Sequence, residues 1–282
     1  MIISVSRRTD IPAFYSDWFF RRLDEGFVMT RNPFNHSQVR RVSLLPEDVD
    51  CFVFWTKDPA PMLERLRVLD ERGYPYYFLF TLTPYGNDLE LNLRPKEAIT
   101  RTFKQLSERI GNRRVIWRYD PIILNNKIGI SYHIREFHRY CKLLVGFTDN
   151  VIISFVDMYS KIKSDKIREI TSDEMRELSL GLSHIEGEHG LSIRSCCEDL
   201  TVCGVRPAPC IDGELIRQIT GKSFKLKQDP GQRPHCGCMQ SVDIGVYNTC
   251  GNGCVYCYAN YSPASVKKNM LKHDPAEEFL LP

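Results

Sequence analysis

The chain has 282 residues, of which 43% are hydrophobic and 26% charged, and its formal net charge is +3. This size suits one large domain, or one domain with a small appendage, and allows a substantial core. The mild charge neither requires nor excludes a nucleic-acid partner. We expect no membrane-spanning segment, because no apolar run approaches the roughly 18 residues that cross a bilayer. The N-terminal sequence MIISVSRRTD has its basic residues after the apolar ones, the reverse of a secretory signal, so we expect a cytoplasmic protein.

Apolar runs rich in β-branched and aromatic residues alternate with stretches of helical periodicity. The predicted strands are residues 2–6, 27–30, 51–55, 76–82, 114–118, 151–155, 191–194 and 242–247. The predicted helices are residues 59–72, 95–110, 132–144, 172–185, 214–219 and 262–271. This alternation implies a parallel sheet, and eight strands favour a (β/α)8-like or partial TIM-type barrel over a doubly wound sheet. We expect one continuous domain, with βα units over residues 1–195 and a cysteine-rich segment with the final strand and closing helix over residues 196–282.

Eleven cysteines are present, and nine of them fall between residues 196 and 257. Thiols in a reducing compartment rarely form disulfides, so this concentration indicates metal binding or redox chemistry. Cys51 and Cys141 stand apart within apolar patterns and are predicted to be small core residues.

The most specific pattern is a C-x3-C-x2-C sequence formed by Cys250, Cys254 and Cys257. Three thiolates at this spacing can bind three corners of a [4Fe–4S] cluster, which leaves the fourth iron open to a substrate or cofactor. Gly251 and Gly253 permit the backbone angles that such a loop needs. A structural zinc site is the alternative, because thiolates also bind zinc tetrahedrally.

This motif, with the aromatic Tyr256 before its last cysteine, resembles the cluster loop of the radical S-adenosylmethionine (SAM) superfamily. The resemblance implies that the open iron binds the amino and carboxylate groups of SAM, that Tyr256 lies beside the cofactor, and that a flavodoxin or ferredoxin donates electrons. In that superfamily the loop follows the first strand, whereas here it follows the last predicted strand. We therefore predict a circularly permuted radical SAM barrel, in which residues 242–247 pair in parallel with residues 2–6 and close the barrel.

The whole chain is also similar to the DUF1848 family of bacterial proteins. Four stretches carry the similarity: SRRTDIPAFY at residues 6–15, FWTKDPAPM at 54–62, IWRYDPI at 116–122, and residues 243–260. The similarity implies a common fold and iron–sulfur chemistry, but no particular substrate.

A second group of cysteines is a candidate for another metal site. It comprises Cys196, Cys210, Cys236 and Cys238, with His235 adjacent. Four thiolates suit either a second [4Fe–4S] cluster or an all-thiolate zinc site. Family resemblance favours Cys196 over its neighbour Cys197 as the first ligand.

Polar and cationic residues follow the predicted strands, at the strand ends where barrels carry their chemistry. The candidate acids and bases are Asp10, Lys57, Asp120 and Glu198. The candidate ligands for a carboxylate or phosphate, including the SAM carboxylate, are Arg7, Arg8 and Arg118, with Arg31 and Lys57 as further cations. Internal ion pairs with Asp10, Asp58 and Asp120 are an equal alternative.

Together these patterns predict a radical-SAM-like oxidoreductase or lyase that contains one or two [4Fe–4S] clusters and acts on a small anionic substrate at the barrel mouth. The alternative is an iron–sulfur or zinc protein with structural metal sites that binds nucleic acid or a protein partner. A zinc hydrolase is less favoured, because histidines are few and scattered and such a site needs ligands that leave water on the metal.

Overall fold

The computed structural model describes residues 1–158, 166–223, 225, 227–233 and 236–282. The strands within these ranges are β1 (Ile2–Val5), β2 (Phe27–Asn32), β3 (Asn35–Ser43), β4 (Cys51–Thr56), β5 (Tyr76–Thr81), β6 (Val115–Ile122), β7 (Asn150–Phe155), β8 (Ser192–Ser195), β9 (Arg206–Pro207) and β10 (Val242–Asp243). The α-helices are α1 (Ile11–Phe14), α2 (Ser16–Glu25), α3 (Leu66–Glu71), α4 (Lys96–Ile110), α5 (Ile130–Leu144), α6 (Ser172–His189), α7 (Gly213–Thr220) and α8 (Pro263–Lys272). None of these helices is both long and apolar enough to cross a membrane. His235 lies outside the described residues.

Eight strands form one parallel sheet in the order β10-β1-β4-β5-β6-β7-β8-β9, with helices on its flanks. The predicted parallel pairing of the last strand with the first is confirmed, because Ile3 lies opposite Val242 and Ser4 lies opposite Asp243. Within the described ranges no ladder joins β9 to β10, so strand pairing alone does not close a barrel. The segments beside these two end strands do meet, because the Met239 amide donates a hydrogen bond to the Ile211 carbonyl at 3.0 Å.

The central strands β4 and β5 read CFVFWT and YYFLFT, because both faces of this parallel sheet are covered. Successive side chains point to opposite faces and so enter two different cores. Phe54 and Phe78 stack with their ring centroids 4.6 Å apart in the larger core, which contains the flanking helices. Val53 and Tyr77 belong to the smaller core, where the Tyr77 hydroxyl donates to the Cys210 carbonyl at 2.7 Å. The cysteine-rich segment therefore covers one face of the sheet.

The prediction of a main-sheet strand at residues 27–30 is wrong. β2 pairs with β3 in a separate antiparallel hairpin, of which only Val28 and Val42 are buried. So little apolar surface cannot form a strand of a sheet that is buried on both faces. The final strand, expected over residues 242–247, has only two residues, because the Asp243 carboxylate accepts a hydrogen bond from the Gly245 amide at 3.0 Å and turns the chain.

Candidate metal and anion site

A cavity of about 550 Å³ opens at the carboxyl ends of the parallel strands. This volume is within the range of small-molecule sites. The predicted site residues that line it are Arg7, Arg8, Asp10, Lys57, Arg118, Asp120, Cys196, Cys210, Cys236, Cys238, Cys250, Cys254, Tyr256 and Cys257. The fold therefore brings both cysteine groups and the cationic residues to one place. Glu198 is not among the described residues that line the cavity.

The cysteine loop (residues 250–257) follows β10 and is anchored to two other parts of the fold. The Asn92 amide, from the segment after β5, donates to the Asn252 carbonyl at 3.2 Å. The Tyr15 hydroxyl, beside α2, donates to the Thr249 carbonyl at 2.6 Å. These contacts fix the loop against the sheet without using its thiols.

Both glycines of the loop are needed where they stand. A Cβ atom on Gly251 would lie 2.8 Å from the Phe14 ring, and one on Gly253 would lie 2.8 Å from the Asn92 side chain. Gly253 also has a φ of +68°, in the left-handed region that penalises other residues. A larger residue at either position would have to displace Phe14 or Asn92, so glycine suits the path of this loop.

The thiols of the loop are costly to ionise by themselves. Burial, the largest cause, raises the pKa of the Cys250 thiol well above its usual range and the pKa of Cys254 to about 12. The Cys257 sulfur accepts a hydrogen bond from the Ala259 amide at 3.3 Å, a contact that stabilises a thiolate. A bound metal would supply the positive charge that three neighbouring thiolates lack, so this donor set fits three corners of a [4Fe–4S] cluster.

Glu90 is a part of the site that the sequence analysis missed. Its fully buried carboxylate accepts a hydrogen bond from Lys57 Nζ at 2.7 Å, and further ones from Lys96 and from the Tyr256 hydroxyl. Burial alone would raise the pKa of the Glu90 carboxyl, but the charges of Lys57 and Lys96 outweigh burial and hold the pKa at about 2. Two ammonium groups thus share one carboxylate, which leaves an excess positive charge beside Cys254.

Asp10 connects the elements around the cavity. Its Oδ2 accepts hydrogen bonds from the Lys57 amide at 2.7 Å and from Asn252 Nδ2 at 3.1 Å, and its Oδ1 caps α1 through the Ala13 amide at 3.1 Å. Burial raises the pKa of the Asp10 carboxyl to about 6 despite these donors. Its contacts favour a positioning role over the proton-transfer role that the sequence suggested.

Two arginines flank Trp55 at the wall of the cavity. The guanidinium carbon lies 5.2 Å from the ring centroid for Arg7 and 4.8 Å for Arg118. Arg118 also forms an ion pair with Asp120 at 2.6 Å, so the internal pairing considered from the sequence is present in part. Four buried cavity atoms nevertheless find no hydrogen-bond partner in the described part of the chain: Arg7 Nη2, Thr9 Oγ1, Trp55 Nε1 and Arg118 Nε. Unmatched donors of this kind suit an anionic ligand.

The second cysteine group has five members where four were predicted, since Cys197 joins it. The Cys196 sulfur lies 3.4 Å from that of Cys210 and 3.6 Å from that of Cys197. The remaining contacts run from Cys210 to Cys238, from Cys238 to Cys236 and from Cys236 to Cys197, which makes a ring of sulfur atoms. We call these residues the five-thiol group.

Cys203, Arg31 and Glu198 are not among the described residues that line the cavity. Cys203 is buried against the Arg176 carbonyl, 3.8 Å away. Arg31 stands on the hairpin, over the Phe279 ring. Glu198 is largely buried, and burial, followed by the nearby Cys196, raises the pKa of its carboxyl to about 8.

A further set of metal-ligand types lies where α5 packs against α6. The ligand atoms of His138, Glu188 and His189 are all within 4.8 Å of one another. The two histidines are far apart in the sequence, because they belong to different helices and meet only after folding.

The parallel sheet and the thiol-lined cavity at its carboxyl edge define an α/β protein with a cysteine-rich site. A family model described as "Domain of unknown function (DUF1848)" matches residues 2–259. The chain belongs to this family, as the sequence similarity predicted. No curated protein and no solved structure matches it.

Proposed function

We propose that the protein is an iron–sulfur enzyme of the radical-SAM-like type, in which Cys250, Cys254 and Cys257 hold a [4Fe–4S] cluster. The observation that carries the proposal is that these thiols share one cavity with unmatched arginine donors, at the carboxyl ends of parallel strands. Ligands of α/β sheets and barrels bind at this edge. The pairing of β10 with β1 supports a permuted barrel, because it sets the cysteine loop beside the first strand.

The charge around the loop suits a cofactor that accepts electrons. When bound, the cluster would supply one-electron transfer to a ligand of its open iron. Beside Cys254 the two positive charges of Lys57 and Lys96 exceed the single negative charge of Glu90. Positive charge close to a [4Fe–4S] cluster stabilises its reduced form, which is the more negative one. The Tyr256 hydroxyl, which donates to Glu90, ties the loop to this charged group.

SAM is the proposed ligand of the open iron, with a flavodoxin or ferredoxin as electron donor. Arg7 and Arg118 would bind an anionic group, either the SAM carboxylate or a small anionic substrate, because each has a buried donor without a partner among the described residues. Trp55, between them, restricts both guanidinium groups before a ligand arrives.

The five-thiol group would hold a second metal, either another [4Fe–4S] cluster or zinc. In a tetrahedral zinc site with bonds of about 2.3 Å the sulfur atoms lie roughly 3.8 Å apart. The Cys196 sulfur lies 3.4 and 3.6 Å from those of its two neighbours, but in the described part of the chain no three sulfur atoms of this group lie within 4.8 Å of one another, so these distances do not favour zinc over a cluster.

Anaerobic purification followed by iron, sulfide and zinc analysis tests the proposal. We expect about four iron and four sulfide per chain in the cysteine loop, with zinc or further iron in the five-thiol group. The EPR spectrum of the reduced protein should change when SAM is added. Stoichiometric zinc without sulfide would overturn the cluster assignment.

A pair of matched variants locates the signal. Cys254→Ala should abolish the SAM-dependent change in the spectrum, because it removes one ligand of the proposed cluster. Cys203→Ala is the control, since Cys203 is a buried thiol that belongs to neither group. Equal loss in both variants would mean that the change does not report on the cysteine loop.

A further inference from the structure

The β2–β3 hairpin lies outside the main sheet and buries only two of its residues, Val28 and Val42. The first seven residues of β3 are all exposed, and Phe34 in the turn is 93% exposed. An aromatic ring left this open costs free energy in water unless a partner covers it. Burial of apolar surface therefore does not explain why the chain forms this hairpin.

The hairpin also carries the whole charge excess of the chain. Residues 27–43 contain Arg31, Arg40 and Arg41 and no aspartate or glutamate. Removing these three from the 38 basic residues of the chain leaves 35, equal to the 35 acidic residues. The hairpin itself is therefore positively charged, whereas the segment that pairs with it at Met29 contains Glu277 and Glu278.

Two of these arginines, Arg31 and Arg41, are held in place by aromatic rings and not by carboxylates. In the described part of the chain none of the three forms an ion pair. The Arg31 guanidinium lies 4.2 Å from the Phe279 ring centroid, and that of Arg41 lies 3.9 Å from Phe27. Stacking of this kind orients a guanidinium and leaves its N–H groups free for phosphate oxygens.

Hydrogen bonds fix the turn that presents Phe34. Asn32 Oδ1 accepts from the Phe34 amide at 2.9 Å, and Asn32 Nδ2 donates to Gln38 Oε1 at 2.7 Å. The Ser37 hydroxyl donates to Asn35 Oδ1 at 2.7 Å. A ring on a fixed turn loses little conformational freedom when it stacks against a flat partner.

Phe34 also lies at the mouth of the cavity. It is one of the lining residues, together with Arg7 and Arg8. A planar group stacked on Phe34 would therefore sit at the entrance to the site that holds the cysteine loop. Phosphates beside this group would meet the hairpin arginines.

We propose that the β2–β3 hairpin binds single-stranded nucleic acid, with the arginines on phosphates and Phe34 stacked on a base at the mouth of the cavity. Aromatic stacking combined with backbone neutralisation is the usual mode of single-strand binding. The proposal that the bound strand is also the substrate rests on the proposed function. The proposal that the hairpin binds the strand does not. A membrane surface is less favoured, because one phenylalanine among amides and arginines offers little apolar area to a bilayer.

Fluorescence anisotropy of the full-length protein with labelled 20-nucleotide DNA and RNA strands tests the proposal over a range of salt concentrations. The combined variant Arg31→Gln, Arg40→Gln and Arg41→Gln should bind far more weakly. The slope of log affinity against log salt should fall by about 1.4, because Arg31 and Arg41, which share one face of the hairpin, lose two phosphate contacts at roughly 0.7 each. Phe34→Ala should weaken binding about 5- to 100-fold with the slope unchanged, because only stacking is lost.

The matched control replaces three exposed arginines on the outer helices, Arg21, Arg67 and Arg101, with glutamine. It removes the same charge and should retain most of the affinity and the slope. Equal weakening in this control, binding to anionic vesicles without binding to either strand, or no binding by the unaltered protein would each overturn the proposal.

The test is independent of the metal. The variant in which Cys250, Cys254 and Cys257 are all alanine should still bind the strands, since the hairpin contains no cysteine. Failure of the cluster proposal would appear in the iron and sulfide analysis, whereas failure of the hairpin proposal would appear in the anisotropy.

Discussion

The ammonium nitrogen of Lys57 lies 2.7 Å from Oε1 of Glu90, a carboxylate with no exposed surface. Lys57 follows β4, and Glu90 follows β5 and also accepts a hydrogen bond from Tyr256 in the cysteine loop. One buried ion pair therefore joins two neighbouring strand ends to the loop after β10. Because Glu90 already holds Lys57, we propose that Arg7 and Arg118, and not Lys57, bind an external anion.

Replacing Glu90 with glutamine keeps the shape of the side chain but removes its charge. Lys57 and Lys96 would then face each other without a carboxylate, so we expect a loss of about 3 kcal/mol in the free energy of unfolding. Urea denaturation read by tryptophan fluorescence measures it. Glu214→Gln is the control, because Glu214 is 65% exposed in its ion pair with Arg217 and should matter little. Equal stability of the two variants would contradict a structural role for the Lys57–Glu90 pair.

Replacing Gly253 with alanine tests whether the backbone path of the cysteine loop matters for metal binding. The left-handed conformation costs about 1 kcal/mol for alanine, and the added Cβ would also meet Asn92 at 2.8 Å. We expect iron and sulfide per chain to fall. Gly146→Ala is the control, because Gly146 has a φ of +83° but no atom within 4 Å of an added Cβ. If both variants kept full iron, the close packing around Gly253 would be irrelevant to the site.

The two cysteine groups should lose metal independently. Changing Cys250, Cys254 and Cys257 together to alanine should remove the iron of the cysteine loop and leave the metal of the five-thiol group. Cys196→Ala should do the reverse, because its sulfur contacts those of both Cys197 and Cys210. Metal analysis of the two variants beside the unaltered protein measures this. Loss of all metal in either variant would indicate a single shared site.

Local sequence patterns predicted much of the fold but little of the electrostatics. Buried apolar runs such as 51–55 and 76–82 marked the main strands well, because both faces of a parallel sheet are covered. The run at 27–30 was wrongly predicted to be a strand of the main sheet, because strand propensity does not distinguish such a strand from one in a separate hairpin. β9, the two residues Arg206–Pro207, left no periodic signal at all.

In the candidate site, the sequence predicted residues that lie close together along the chain but missed contacts between distant ones. The cysteine loop was predicted because its three cysteines lie close together in the sequence, whereas Cys197 was not, because the family resemblance favoured its neighbour Cys196. Glu90 gave only the signal of an acid between two leucines, since its partners Lys57 and Tyr256 lie 33 and 166 residues away. Long-range ion pairs of this kind depend on topology, which no local pattern contains.

His133 on α5 should make the protein less stable in acid. It lies fully buried between the Tyr119 hydroxyl, 2.8 Å from Nδ1, and the Ile123 carbonyl, 2.8 Å from Nε2. Burial lowers the pKa of its imidazole from 6.5 to about 4. Above pH 6.5 both the folded and the unfolded chain hold the ring neutral, so the stability is full there. Between pH 6.5 and 4 the imidazole of His133 binds a proton in the unfolded chain but not in the folded chain. The free energy of unfolding therefore falls as the pH falls.

We expect His133 to lower the free energy of unfolding by about 2 kcal/mol when the pH falls from 7.5 to 5. We expect His133→Gln to lower the free energy of unfolding at both pH values, because two buried hydrogen bonds change. The difference in free energy of unfolding between pH 7.5 and pH 5 should be about 2 kcal/mol smaller than in the unaltered protein. Urea denaturation at the two pH values measures the fall. The matched control is His184→Gln on α6, which removes an exposed histidine and should keep the pH dependence of the unaltered protein. An unchanged fall in His133→Gln would show that the acid sensitivity arises elsewhere, in the metal ligands or the buried carboxylates, and not in the neutral ring between Tyr119 and Ile123.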